Sequence, residues 1–107
     1  MELNQEIHSI TEAIRRAVPA ERIYLFGSFA YGTPNEDSDY DFFVMIPDDG
    51  PPPLEATQRA RRSLLHIDRK TPVDILADYC SSFDSRKDLN TLERKVFREG
   101  VMLYERT

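Results

Sequence analysis

The sequence predicts an α+β fold in which a mixed sheet carries helices packed mainly on one face. Short β-rich apolar runs alternate with stretches whose apolar residues recur at spacings of three and four. Two predicted strands follow each other with only a loop between them, whereas later strands are separated by helical stretches. This order favours a sheet with both antiparallel and parallel pairs. At 107 residues, the chain is expected to form a single domain, 1–107.

The first half of the chain predicts one helix and two strands. A helical apolar stripe ends at Pro19, and β-rich runs follow at 22–26 and 40–46. Gly27 ends the first strand, and a short helical turn can begin at Ser28. Asp37 is interpreted as part of a polar turn before the second strand. The stripe of the first helix consists of Leu3, Ile7, Ile10, Ile14 and Val18.

The second half predicts two further helices and two further strands. After a proline-rich loop, Pro53 can open a helix that ends near Lys70. A third strand is expected at 73–77, then a polar, irregular stretch with room for a short helix, and an edge strand at 101–104. Gly100 is placed as the left-handed cap of the last helix. The apolar side of the first of these helices is predicted from Leu54, Ala60, Leu64 and Ile67, and that of the last from Leu89, Leu92 and Val96.

A glycine-rich turn follows the first predicted strand. Gly27 and Ser28 come directly after an apolar run, and Gly32 lies four residues further on. Such a turn can leave backbone N–H groups and a hydroxyl facing a phosphate. The chain has no lysine at the P-loop position, so a Walker-type ATPase is not indicated. We therefore expect Gly27, Ser28 and Gly32 to bind a nucleotide.

Three carboxylates accompany this turn. Asp39 and Asp41 open the second strand at the spacing that places both side chains on one face, and Asp74 lies between two apolar residues of the third strand. Carboxylates held together on a buried strand repel each other and resist desolvation, so they indicate a bound cation. We expect these three residues to be both metal ligands and catalytic residues, with Mg²⁺ as the metal.

The pattern Gly27-Ser28, ten residues, then Asp39-Tyr40-Asp41, with Asp74 on a later strand, resembles the signature of the DNA polymerase beta-like nucleotidyltransferase superfamily. Within it, the short chain is similar to the minimal nucleotidyltransferases, the MntA-type antitoxins. The resemblance implies the polymerase beta-like fold. One departure is Tyr31, because many members carry arginine before the second glycine.

The resemblance also implies a reaction. Two Mg²⁺ ions would be held by Asp39, Asp41 and Asp74, and AMP would pass from ATP to a tyrosine of a cognate HEPN-type toxin encoded nearby. Two alternatives remain open from the sequence. One is nucleotidylation of a small hydroxyl compound, and the other is a non-catalytic antitoxin that binds and occludes its partner.

The charge, the cysteine count and the lack of long apolar runs argue against several classes of protein. The net charge of −5 and the pI near 5.0 argue against broad nucleic-acid binding. Cys80 is the only cysteine, which excludes an intrachain disulfide and a zinc cluster built from thiolates. The sequence shows no apolar run long enough for a membrane span and no secretory signal, so we expect a cytoplasmic protein.

Overall fold

The computed structural model describes residues 4–35 and 38–106, so Leu3 and Asp37 lie outside the described part. That part contains one short 3₁₀ turn, Leu64–His66. The elements, in chain order, are α1 (Gln5–Ala17), β1 (Arg22–Phe26), α2 (Ser28–Tyr31), β2 (Tyr40–Ile46), α3 (Pro53–Ser63), β3 (Val73–Tyr79), α4 (Cys80–Arg86), α5 (Leu92–Glu99) and β4 (Val101–Glu105).

The four strands form one sheet in the order β3-β2-β1-β4. β1 pairs antiparallel with both β2 and β4, whereas β2 and β3 run parallel. The parallel pair is joined through α3, which is the kind of crossover that parallel strands require. The predicted mixed sheet of an α+β fold is therefore confirmed, and β4 lies at an edge as expected.

The two longer helices, α1 and α3, cover one face of the sheet. α1 begins at Asn4, whose side chain accepts a hydrogen bond from the Ile7 backbone N–H at 2.8 Å. Its apolar stripe then packs onto the sheet as the spacing predicts. The core on this face includes Ile7, Ile10, Ile14, Ile23, Leu25, Phe42, Val44, Ile46, Ala56, Ala60 and Ile75.

The shorter helices, α4 and α5, lie on the opposite face. Phe83 of α4 and Val96 of α5 are fully buried against β1 and β2. Phe83 stacks on Tyr24 and meets Phe43 edge-on, with ring centroids 6.0 and 5.3 Å apart. Over β3 the cover is thinner, since Leu76 remains 38% exposed. This face of the sheet is consequently only partly closed.

The prediction for α3 was wrong in its extent and in one core residue. The helix ends at Ser63, and Ile67 has an extended backbone rather than a helical one. The buried stripe is formed by Ala56, Ala60 and Leu64 at four-residue spacing, which turns Leu54 away from the sheet. Leu54 is 71% exposed as a result.

The prediction for α5 was wrong in its apolar side and in its cap. Leu89 and Leu92 are exposed, whereas Glu93 is buried and pairs with Arg86 at 2.7 Å. Gly100 has φ −73° and ψ 165°, which is an extended conformation and not a left-handed one. Position 100 requires glycine for a steric reason instead, because a Cβ there would lie 2.5 Å from the Val96 carbonyl oxygen.

Two elements extend the predicted pattern. β3 continues two residues beyond the expected 77, to Tyr79, and the stretch after it forms the helix α4 around the buried Phe83. In the described part of the chain, no helix has both the length and the apolar character needed to cross a bilayer.

Candidate active site

The glycine turn joins β1 to the four-residue helix α2. Gly27 adopts φ 78°, and its carbonyl accepts hydrogen bonds from the backbone N–H groups of Ala30 and Tyr31, each at 3.0 Å. Gly32, at φ 81°, ends the helix in the left-handed region, and its N–H bonds back to Ser28. Both glycines therefore hold backbone conformations that other residues rarely adopt. The N–H groups of Ser28 and Phe29 begin the helix, where no preceding turn can accept them.

Asp41 lies at the centre of the site. It is the second residue of β2 and stands beside Phe26 of β1 on one side and Asp74 of β3 on the other. Its side chain reaches under the glycine turn, because its Oδ2 occupies the space where a Cβ on Gly27 would lie. The sheet register thus brings a carboxylate pair and the turn together at one end of the sheet.

Alternation along the strands decides which face carries these carboxylates. Tyr40 and Phe42 belong to the core under α1 and α3, so Asp41 between them points to the opposite face. Asp74 lies between Val73 and Ile75, which also belong to that core. Both carboxylates therefore share the partly closed face, on the same side as α4 and α5.

Asp39 is placed differently from the prediction. β2 begins at Tyr40, so Asp39 precedes the strand, and it is exposed. Its charge still acts on Asp41. Of the two carboxylates predicted on one strand, Asp41 therefore lies within β2 and Asp39 immediately before it.

Burial is distributed unevenly over the carboxylates. Asp74 is exposed and so avoids the cost that burial of an unpaired carboxylate would carry, because β3 is an edge strand and its open face has little helix above it. Asp41 is the carboxylate that loses water. Its burial, followed by the charges of Asp74 and Asp39, raises its pKa above the ordinary 3.8.

The carboxylates have no cationic partner in the described part of the chain. The ion pairs found there involve other acidic residues. No three His, Cys, Asp or Glu side chains among the described residues are already grouped to hold a metal ion. The donor chemistry nevertheless fits a hard divalent cation such as Mg²⁺, which prefers carboxylate oxygens and retains several waters.

Comparison with known proteins identifies the family. A family model for polymerase beta nucleotidyltransferases matches residues 8–107, nearly the whole chain. The chain belongs to this family. In this nucleotidyltransferase, Asp41 and Asp74 lie side by side near the Gly27 turn, whereas Asp39 precedes β2. A search among curated proteins found no match.

Solved structures with the same fold include a protein from Sulfolobus solfataricus assigned as a nucleotidyltransferase, at 20% identity and a TM-score of 0.64. It covers 95% of this chain and 79% of its own. A mutant of the toxin–antitoxin MntA–HpeT matches at 24% identity over 98% and 76% of the two chains, with a TM-score of 0.60. A toxin–antitoxin with AMP-PNP matches at 25% identity over 97% and 76%, with a TM-score of 0.61.

The structure adds a contact that the sequence motif does not contain. Tyr31, the last residue of α2, has a buried hydroxyl without a hydrogen-bond partner in the described structure. Burial raises the pKa of Tyr31, the Gly27 backbone partly opposes this, and the charges of Glu99 and Asp41 add to it. Lys95 of α5 places its Nζ 4.9 Å from the centre of the Tyr31 ring. No spacing in the sequence signals this pairing, because the two residues are joined only by the packing of α5.

Proposed function

We propose that this nucleotidyltransferase moves AMP from ATP to a tyrosine hydroxyl of a cognate HEPN-type toxin. The observation that carries the proposal is the side-by-side register of Asp41 and Asp74 beneath the Gly27 turn. This arrangement places negative charge, which has no cationic partner among the described residues, beside a turn suited to bind phosphate. A module that only bound its partner would gain nothing from holding such charges together.

Each residue has a distinct part in the proposed reaction. The turn at Gly27, Ser28 and Gly32 would hold the triphosphate by its free N–H groups and hydroxyl. The acceptor hydroxyl attacks the α-phosphorus and passes its proton to the Asp74 carboxylate, while the bond from the α-phosphorus to the bridging oxygen breaks and pyrophosphate leaves. Asp39, Asp41 and Asp74 would hold two Mg²⁺ ions, and Asp74 is exposed at the open face that an acceptor can reach. Bound divalent ions would neutralise charge on the attacking and leaving oxygens.

The partner is proposed from the toxin–antitoxin structures that share this fold. One of them is a complex with AMP-PNP, which supports ATP as the nucleotide. The net charge of −5 disfavours RNA or DNA as the acceptor. A protein acceptor in the cytoplasm is consistent with this charge.

The experiment combines the purified chain with the HEPN protein encoded beside its gene, α-labelled ATP and Mg²⁺. We expect the HEPN protein to gain label on tyrosine, with release of pyrophosphate. Asp41→Asn should abolish labelling, whereas Asp49→Asn should not. Asp49 is a matched control, because it is an exposed aspartate in the loop after β2.

The result separates the proposal from its alternatives. If the HEPN protein stays unlabelled but loses its toxicity equally with the wild-type chain and with Asp41→Asn, the protein acts by occlusion and the proposed reaction is wrong. If label passes only to a small hydroxyl compound, the acceptor assignment is wrong and the nucleotidyltransferase chemistry stands.

A further inference from the structure

The helix α5 carries a group of cations on an acidic chain. Arg94, Lys95 and Arg98 line a shallow groove on this helix together with Asn90, Thr91 and Glu99. None of the three cations forms an ion pair within residues 4–35 and 38–106. Of the acidic residues beside them, Glu93 is turned inward and bound to Arg86, and Glu99 lines the same groove. The three cations therefore outnumber the one carboxylate of this groove, which keeps a net positive charge for an anion.

Lys95 connects this groove to the glycine turn. Its ammonium group lies over the ring of Tyr31, and the Tyr31 backbone N–H bonds to the Gly27 carbonyl at 3.0 Å. Lys95 thus contacts Tyr31, and Tyr31 in turn bonds to the turn that is proposed to hold phosphate. Its side chain is exposed, so the ammonium can move along the ring without disturbing the core.

The charge of a bound nucleotide gives this contact a function. A nucleoside triphosphate brings about four negative charges to an end of the sheet that already carries Asp39, Asp41 and Asp74. Metal ions held by the carboxylates would offset only part of this charge. A cation beside α2, against the turn proposed to hold the triphosphate, would offset charge on the β- and γ-phosphates.

We propose that Lys95, supported on the ring of Tyr31, binds the distal phosphates of the nucleoside triphosphate. This inference rests on the proposed nucleotidyltransferase reaction and deepens it by naming a residue outside the motif. Lys95 would make this contact to ATP and not to AMP, which lacks the β- and γ-phosphates. Selection of the triphosphate over its product would then depend on α5.

The test measures binding of AMP-PNP and of AMP in the presence of Mg²⁺ by calorimetry. Lys95→Gln should weaken AMP-PNP binding about tenfold, the cost of one charge-assisted contact, and leave AMP binding unchanged. Lys95→Arg should retain most of the AMP-PNP affinity. Lys87→Gln is the matched control, because Lys87 also lies over an aromatic ring, at 4.6 Å from the centre of Phe97, and is away from the turn.

Unchanged AMP-PNP binding by Lys95→Gln would overturn the inference, as would an equal loss of AMP-PNP and AMP. Equal losses in Lys95→Gln and Lys87→Gln would also overturn it, since they would show a general charge effect. If the wild-type chain bound AMP-PNP and transferred AMP while Lys95→Gln did both equally well, only the role of Lys95 would fail. If the wild-type chain bound no nucleotide, the proposed function itself would fail.

Discussion

Gly27 and Asp41 occupy complementary space: the carboxylate of Asp41 fills the volume that a side chain on Gly27 would need. Residue 27 is consequently constrained twice, by its positive φ and by this contact. The glycine that shapes the turn also allows the carboxylate to reach it. The two motifs of the sequence are therefore one structural unit.

Gly27→Ala should destabilise the protein more than Gly32→Ala. Each substitution forces alanine to a positive φ: position 32 is in the left-handed region, at a cost of about 1–2 kcal/mol, and position 27, with ψ −165°, is in a region essentially restricted to glycine, at a cost of about 1–3 kcal/mol. A Cβ at position 32 meets no atom within 4 Å, whereas one at position 27 overlaps Asp41. Overlap in a packed site adds roughly 1–3 kcal/mol. Urea denaturation measures both free energies of unfolding, and equal losses would contradict the close contact.

Ser28→Ala should reduce nucleotide affinity less than Gly27→Ala does. The serine contributes one hydroxyl, whereas the backbone N–H groups of the turn remain after its removal. We expect a loss of about tenfold or less for Ser28→Ala, measured as AMP-PNP affinity. A larger loss for Ser28→Ala than for Gly27→Ala would show that the backbone is not the main phosphate contact.

Asp41→Asn should stabilise the metal-free protein at neutral pH. Because the folded-state pKa of Asp41 is raised, its ionised form opposes folding above that pKa, and the penalty disappears as the pH falls to the ordinary 3.8. The gain in Tm from Asp41→Asn should therefore be largest near pH 7 and shrink on acidification. Thermal unfolding at several pH values, without metal, tests this. A lower Tm for the variant at pH 7 would contradict the assigned repulsion.

Asn substitution of Asp39, Asp41 or Asp74 should each lower AMP transfer by on the order of 10²-fold or more, because each removes charge from the proposed metal site. Asp78 provides a control on the same face of β3. Its carboxylate accepts hydrogen bonds from the Ser82 hydroxyl and the Tyr79 N–H, both at 2.8 Å, so it supports the start of α4. Asp78→Asn should retain transfer. Near wild-type activity in any of the three variants would remove that residue from the site.

Tyr31→Phe should leave stability unchanged or raise it, because the substitution removes a buried hydroxyl that lacks a partner. Tyr40→Phe is the contrasting variant. The Tyr40 hydroxyl accepts a hydrogen bond from the Asn4 side chain at 3.0 Å, so its loss should cost about 0.5–1.5 kcal/mol. Chemical denaturation of both variants decides the comparison. A clear loss in Tyr31→Phe would indicate that its hydroxyl is bound in solution.

Much of the fold could be predicted because it depends on local patterns. The stripe of Ile7, Ile10 and Ile14 predicts a helix and its buried face together, since the side-chain period fixes both. The glycines and Asp41 could be predicted as site residues because a turn after one strand and a carboxylate at the start of the next leave few arrangements. The second half was harder, since the buried side of α5 depends on which face meets β1.

The sequence by itself determined the order of elements, the glycine turn and the identity of the three carboxylates, because spacing and residue type carry that information. Only the tertiary structure decided that Asp41 is half-buried while Asp74 is exposed, since burial depends on strand order and on where α4 and α5 leave the sheet open. It also decided that Lys95 lies over Tyr31. Residues so distant along the chain meet through packing, which no local pattern encodes.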